Sequence, residues 1–171
     1  MKIMGLDLSL TSTGYSIDGT TGVISFDSTG PRRLSNIRDA IYEIISSEPD
    51  LRGVVIEGYS FASRNSQAHS IGELGGVIRL MLWEKAVPYV VVPPTSRAKF
   101  ATGKGNASKN EVISFISAKT GIVWGNPGAD DKCDAWVLEE MGLCRAGKAR
   151  FEWPKDNKAA LDKVDWEPLG L

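Results

Sequence analysis

The 171-residue chain, 42% hydrophobic and 24% charged, has the make-up of an ordinary globular protein and is long enough for one domain with a full core. A formal net charge of −1 excludes a protein that coats nucleic acid by bulk charge, but not one whose basic residues gather on one face. Met1 to Leu10 lacks a signal-peptide core, and no apolar run approaches the roughly 20 residues of a membrane span. The expected address is the cytoplasm, or a host cytoplasm if the gene is carried by a phage. Cys133 and Cys144 have no CxxC spacing and read as small packing residues in a reducing compartment.

In chain order, "KIMGLDLSL" reads as a buried strand ending at Asp7. After the turn "TSTG", the segments "YSIDG" and "GVISFDS" read as two short strands joined by "TT" and glycines, which makes a β-meander. From Arg32 the period changes to about 3.6, with Leu34, Ile37, Ile41, Ile44 and Ile45 on one helical face before Pro49. "GVVIEG" is an almost wholly apolar strand, as expected when both faces are covered, and it ends at Glu57. A polar loop, "YSFASRNSQAHS", leads to a glycine-notched helix over residues 71–86 and then the strand "YVVVPP". "TSRAKFATGKGNA" is a basic stretch with glycines. Ser108 and Glu111 then form a capping box for the helix "KNEVISFISAKT". "GIVWGNPG" is a loop before the last core helix, which starts within "GADDKCDAWVLEEMG".

This order, three strands, helix, strand, helix, strand and two helices, predicts an α/β fold with a mixed five-stranded sheet flanked by helices. Strands 1–3 are antiparallel, and strands 4 and 5 run parallel to strand 1 through right-handed crossovers. The domain is expected over residues 1–147, with 148–171 as a C-terminal tail or arm.

Asp7 and Glu57 both sit at ends of apolar strands, where ligand sites of α/β sheets collect. If strands 1 and 4 are neighbours, the two side chains meet near the sheet centre. Asp131 and Asp134 share a helix face at i and i+3, as do Asp130 and Asp134 at i and i+4. A helix beside strand 1 would bring two more carboxylates to the first two. Carboxylates about 4 Å apart repel by roughly 4 kcal/mol at an effective dielectric of about 20. Such a cluster calls for a hard divalent cation, Mg²⁺ above all with Mn²⁺ as substitute, and two such ions suit phosphodiester hydrolysis. Taken singly, each acid has a plainer reading: a turn after the strand for Asp7, a solvated strand end for Glu57, and a helix-dipole charge for Asp130 or Asp131.

With these residues in place the chain resembles the RuvC-like Holliday junction resolvases of the ribonuclease H-like superfamily. The matching pieces are "GLDLSLTSTGYS", "VVIEGYSFASRNSQAHSIGELGGV", "GNASKNEV" and "NPGADDKCDAWVL", in family order over residues 2–145. The resemblance implies a Mg²⁺-dependent endonuclease, with two ions per site, that nicks four-way DNA junctions as a homodimer and needs no small-molecule cofactor. It assigns Asp7, Glu57, Asp131 and Asp134 as catalytic metal ligands. Counting from "NP" selects Asp130 and counting back from "DA" selects Asp131; the second anchor is adopted. DNA contacts are expected from Lys99, Lys104 and Lys109, where Arg97 also belongs to the basic stretch, and from Tyr59, Phe61, Arg64 and Asn65 beyond Glu57. Helix 71–86 is the expected dimer surface, with intramolecular packing as the competing use of that face. Preference for flaps, forks or RNA–DNA hybrids, a junction binder that does not cut, and an actin-like ATPase are the alternatives. The last normally needs two such domains and a second phosphate loop.

Overall fold

The computed structural model describes residues 1–58 and 66–171, and over 66–71 it describes the backbone alone. Five strands form one mixed sheet: β1 (Lys2–Asp7), β2 (Thr13–Ile17), β3 (Thr20–Ile24), β4 (Leu51–Glu57) and β5 (Tyr89–Val92). Their order across the sheet is β3-β2-β1-β4-β5. β1, β2 and β3 pair antiparallel, while β4 runs parallel to β1 and β5 parallel to β4. The expected ribonuclease H-like arrangement is therefore observed, with β1 and β4 as neighbours.

Two cores cover the two faces. Helices α1 (Gly30–Ser46) and α2 (Ser66–Glu84) cover one, closing on Met4, Leu6, Val54 and Ile56 with Ile37, Ile41, Leu74 and Ile78. The other face carries α3 (Pro94–Thr102), α4 (Lys109–Thr120) and α5 (Ala129–Arg145), packed on Ile3, Val55, Val90 and Val92. Among the described residues no helix is long and apolar enough to cross a membrane.

Several boundaries differ from expectation for identifiable reasons. The β2–β3 turn is Asp18-Gly19, both at positive φ, and Thr20 and Thr21 belong to β3, so a two-residue hairpin replaces the longer connection. Helix α2 begins at Ser66, five residues before the expected start, because polar residues with adequate helix propensity extend it. The stretch "TSRAKFATG" is helix α3 rather than an open basic segment. Pro94 occupies its first turn, and Gly103 closes it in the left-handed conformation with its N–H donating to the Lys99 carbonyl, the usual proline-first, glycine-last signature. Three long helices, not two, therefore follow β5. The capping box of α4 forms as expected, with Ser108 Oγ accepting from the Glu111 N–H and Glu111 reaching back to the Ser108 N–H at 2.7 Å.

Residues 148–171 return along the α5 side. Trp153, Ala160, Leu161, Val164, Trp166 and Leu169 are all buried in the same core as α5. Phe100 stacks on Trp153 with ring centroids 4.3 Å apart, so α3 and this segment share one aromatic contact.

Candidate metal and nucleic-acid site

Strand parity decides which acids meet. On β1, Ile3 lies in the core beneath α5, whereas Met4 and Leu6 lie in the opposite core. Alternation along the strand therefore turns Gly5 and Asp7 toward α5. On β4, Val55 faces α5 while Val54 and Ile56 face away, which turns Glu57 the same way. Leu6 pairs with Ile56 in register. The acids that follow them end adjacent parallel strands on one face.

Helix α5 is seated on glycines. A Cβ on Gly5 would stand 1.9 Å from the Ala135 carbonyl oxygen, and one on Gly14 would stand 2.1 Å from that of Asp131. These two positions let the helix backbone lie directly on the sheet. Further along, Gly142 lies against Ile3 and Val55, so α5 runs antiparallel to β1 and its first turns sit at the strand's acidic end. Asp131 and Asp134 thereby join Asp7 and Glu57. Asp130 turns outward instead, taking a 2.7 Å bond from Lys109 Nζ, with both side chains substantially exposed.

The electrostatics record the crowding. Burial, then the charges of Glu57 and Asp134, hold the Asp7 carboxyl well above its usual range against the opposing pull of Arg97. The Asp131 charge adds to the same rise. Burial pushes Asp134 up to about 7, with Arg97 opposing and Glu57 reinforcing. Asp130, bonded to Lys109, is held below its usual value. Desolvation and like charge both disfavour the ionised forms of Asp7 and Asp134, and the cluster as it stands carries more negative charge than its cations balance.

Arg97 is the residue that sequence reasoning misplaced. Rather than facing solvent or a phosphate, it is buried in α3 and bonds Glu57 through Nε and Asp134 through Nη1. The helix that carries it starts immediately after β5, the strand beside β4, so its second turn lies over the end of Glu57's strand. The proline and glycine bracketing α3 were the signals that could have revealed this. Among the described residues, no three acidic, histidine or cysteine side chains stand grouped to hold one metal ion; the guanidinium lies between two of the candidates. The donor set itself is all carboxylate oxygen with excess negative charge, which matches a hard divalent cation in chemistry.

Of the expected DNA contacts, Lys109 is exposed at the rim, and its ammonium is influenced by Asp130, Asp7 and Asp134. Lys104 is exposed just beyond the end of α3, and Lys99 is half-buried within it. Tyr59, Phe61, Arg64 and Asn65 lie outside the described residues. Two buried glutamates of α5 also escaped notice: Glu139 accepts from the Gly19 N–H at 3.1 Å, and Glu140 accepts from Arg150 and Trp153 Nε1 at 2.9 and 3.0 Å.

No protein-family model matches the chain. Curated relatives do. The chain is 29% identical over 161 residues to the crossover junction endodeoxyribonuclease RuvC of Sorangium cellulosum, covering 87% of this chain and 88% of that one. It is also 29% identical over 154 residues to the protein of that name from Synechococcus sp. (strain WH7803), covering 83% and 97%. The fold is similar to that of Thermus thermophilus RuvC, solved in complex with Holliday junction substrate, at a TM-score of 0.67 and 19% identity, over 89% of this chain and 99% of that chain. It is similar also to the yeast mitochondrial Holliday junction resolvase Ydc2, at a TM-score of 0.55 and 12% identity, over 94% and 80% of the two chains. The chain is thus similar over nearly its full length to RuvC proteins, and its fold is similar to that of a solved RuvC structure.

Proposed function

We propose that this chain is a metal-dependent endonuclease that nicks four-way DNA junctions as a homodimer, in the cytoplasm and with Mg²⁺ as its usual ion. The observation that carries the reading is the meeting of Asp7, Glu57, Asp131 and Asp134 at the acidic end of β1 and β4, from three elements far apart in sequence. The full-length similarity to crossover junction endodeoxyribonucleases supports it.

In this reading the four carboxylates hold two divalent ions, which when bound supply an activated water and charge stabilisation for the leaving oxygen. The chain's own part is positional. The glycine-seated helix brings Asp131 and Asp134 to the strand ends. Lys109, at the rim, is placed for a phosphate of the incoming strand, and Lys99 and Lys104 extend the basic surface beside it. Tyr59 and Phe61 are assigned to unpaired bases at the junction, with Arg64 and Asn65 on the backbone.

A two-fold dimer suits a junction because both present matched elements around one axis. On α2, Gly76, Leu80 and Trp83 are exposed at spacings of four and three, with Trp83 75% exposed, and this face is the assigned dimer contact.

The test is a gel of synthetic four-way, fork and flap DNA with and without Mg²⁺. Cleavage of the four-way substrate in Mg²⁺ alone, lost in Asp7→Asn with junction binding retained, is expected. An Asp7→Asn protein that cuts at the wild-type rate would overturn the assignment.

A further inference from the structure

Arg97 raises a question that the nuclease reading does not answer: why a cation belongs to the protein at the centre of a site built for another cation. Arg97 is 7% exposed, and its guanidinium bonds one carboxylate on β4 and another on α5. Surface arginines form such contacts at little gain, but a buried one is held in place by both charges. The same two oxygen donors are those a divalent ion would need. A single ion and the guanidinium cannot both occupy the space between Glu57 and Asp134.

We propose that Arg97 is a tethered counter-cation: it neutralises Glu57 and Asp134 in the metal-free protein, competes with divalent ions for them, and must swing out before the site loads. The inference rests on reading these carboxylates as a metal site, and goes beyond it by assigning an antagonist built into the chain. Arg97 sits near the middle of α3, a nine-residue helix, so release needs rotation of a long side chain rather than unfolding of the helix. Once released, its preferred new partner is an anion. A DNA phosphate at the site would supply one, so metal and DNA should load together: each makes the other's binding tighter, as linkage requires.

The competition has a readout independent of cleavage. Calorimetric titration with Mn²⁺, and thermal melts in chelator and in Mn²⁺, would be compared for the wild type, Arg97→Met and Arg97→Lys. Methionine keeps length and apolar bulk but has neither charge nor oxygen donor. Arg97→Met is expected to melt lower than the wild type in chelator, to gain more from Mn²⁺, and to bind Mn²⁺ at least about tenfold more tightly, a change of roughly 1.4 kcal/mol. Arg97→Lys should fall between. A merely structural arginine would give the opposite sign, since loosening the site weakens the ion. Equal or weaker Mn²⁺ binding by Arg97→Met, with wild type binding normally, overturns the inference and leaves the metal site standing. No Mn²⁺ binding by any form overturns both.

Should Arg97→Met fail to fold, the wild type still decides. The buried Arg97 Nε–H, bonded to Glu57 and followed by NMR during a Mg²⁺ titration, should exchange faster as the ion enters. An unchanged signal at saturating Mg²⁺ overturns the inference.

Discussion

Gly14 stands directly opposite Asp7 across the β1–β2 ladder, and the space its side chain would fill is taken by the Asp131 carbonyl, 2.1 Å from an ideal Cβ. One missing methyl group thus couples the first acid to the third. Gly14→Ala forces backbone against backbone, where no rotamer change gives relief. The expected cost is at least the 1–3 kcal/mol or so of an overpacked core, seen as a lower melting temperature in urea or heat. Because α5 must lift, the Mg²⁺-induced rise in melting temperature should shrink as well. A Gly14→Ala protein with wild-type stability and wild-type metal response would show that α5 does not need this seat.

Much of this site was legible in the residues for one reason: alternation along apolar strands has only two phases. Asp7 and Glu57 each end such a strand, and once β1 and β4 are adjacent and parallel their side chains share a face. Asp134 was legible because it sits further into the helix, beside Ala135, Trp136 and Val137, where a cap no longer explains an acid. The misreadings have a common origin too. Arg97 looked like part of a basic surface because charge composition carries no direction; only the register of α3 against β5 turns it inward. Glu139 and Glu140 were overlooked because their partners, Gly19, Arg150 and Trp153, lie far off in sequence. Gly5 and Gly14 interrupt strands, the usual mark of a close backbone approach, but which backbone approaches is a property of the whole fold.

The raised carboxyls set the sign of a pH effect. In the folded chain Asp134 titrates at about 7, and Asp7 well above its ordinary value, whereas unfolded aspartates titrate near pH 3.9 or so. Between those values the native state holds protons that the unfolded chain has released. Stability therefore is full below the unfolded value and falls as pH rises through the folded one. Glu139, also raised by burial, adds to the same trend, while Asp130 and Glu111 are lowered and act mainly at more acidic pH. In chelator, the melting temperature should drop between about pH 5 and 7.5. Saturating Mg²⁺ should flatten the slope, and Asp7→Asn should both flatten it and raise the melting temperature of the metal-free protein. A melting temperature that climbs with pH across that window contradicts the crowded-carboxylate picture.

Lys109 separates binding from stability. Its 2.7 Å pair with Asp130 has 59% and 39% of the side chains exposed, and such surface pairs contribute about 0–1 kcal/mol. Lys109→Ala should leave thermal stability within about 4 °C of wild type. If Lys109 meets a phosphate, the same change should weaken junction binding evenly across sequences and reduce the slope of log affinity against log salt by about one. Anisotropy titrations at several salt concentrations measure this. An unchanged slope would remove Lys109 from the DNA surface and leave it as the partner of Asp130 alone.

Arg150 anchors the C-terminal segment to α5. Its guanidinium lies 3.2 Å from Glu139 and 2.9 Å from Glu140, both of which are buried, and it also rests over the Trp136 ring at 5.0 Å. Glu140 additionally accepts from the backbone N–H groups of Arg150 and Phe151 at 2.9 and 3.2 Å and from Trp153 Nε1 at 3.0 Å. Removing one partner from a buried charge network costs about 3–5 kcal/mol. Arg150→Ala should therefore lower the melting temperature by roughly 10 °C. Adding Glu139→Gln should recover part of that loss, because one uncompensated charge disappears while the hydrogen bonds to Ser16 and Gly19 can persist. Deleting residues 148–171 is a harsher change: it strips Trp153, Leu161, Val164, Trp166 and Leu169 from the core and takes from the buried Glu140 the donors of Arg150, Phe151 and Trp153. That truncation should be insoluble or unfolded by circular dichroism. A soluble, cooperatively melting chain ending at residue 147 would show instead that the α5 core closes without the segment that follows it.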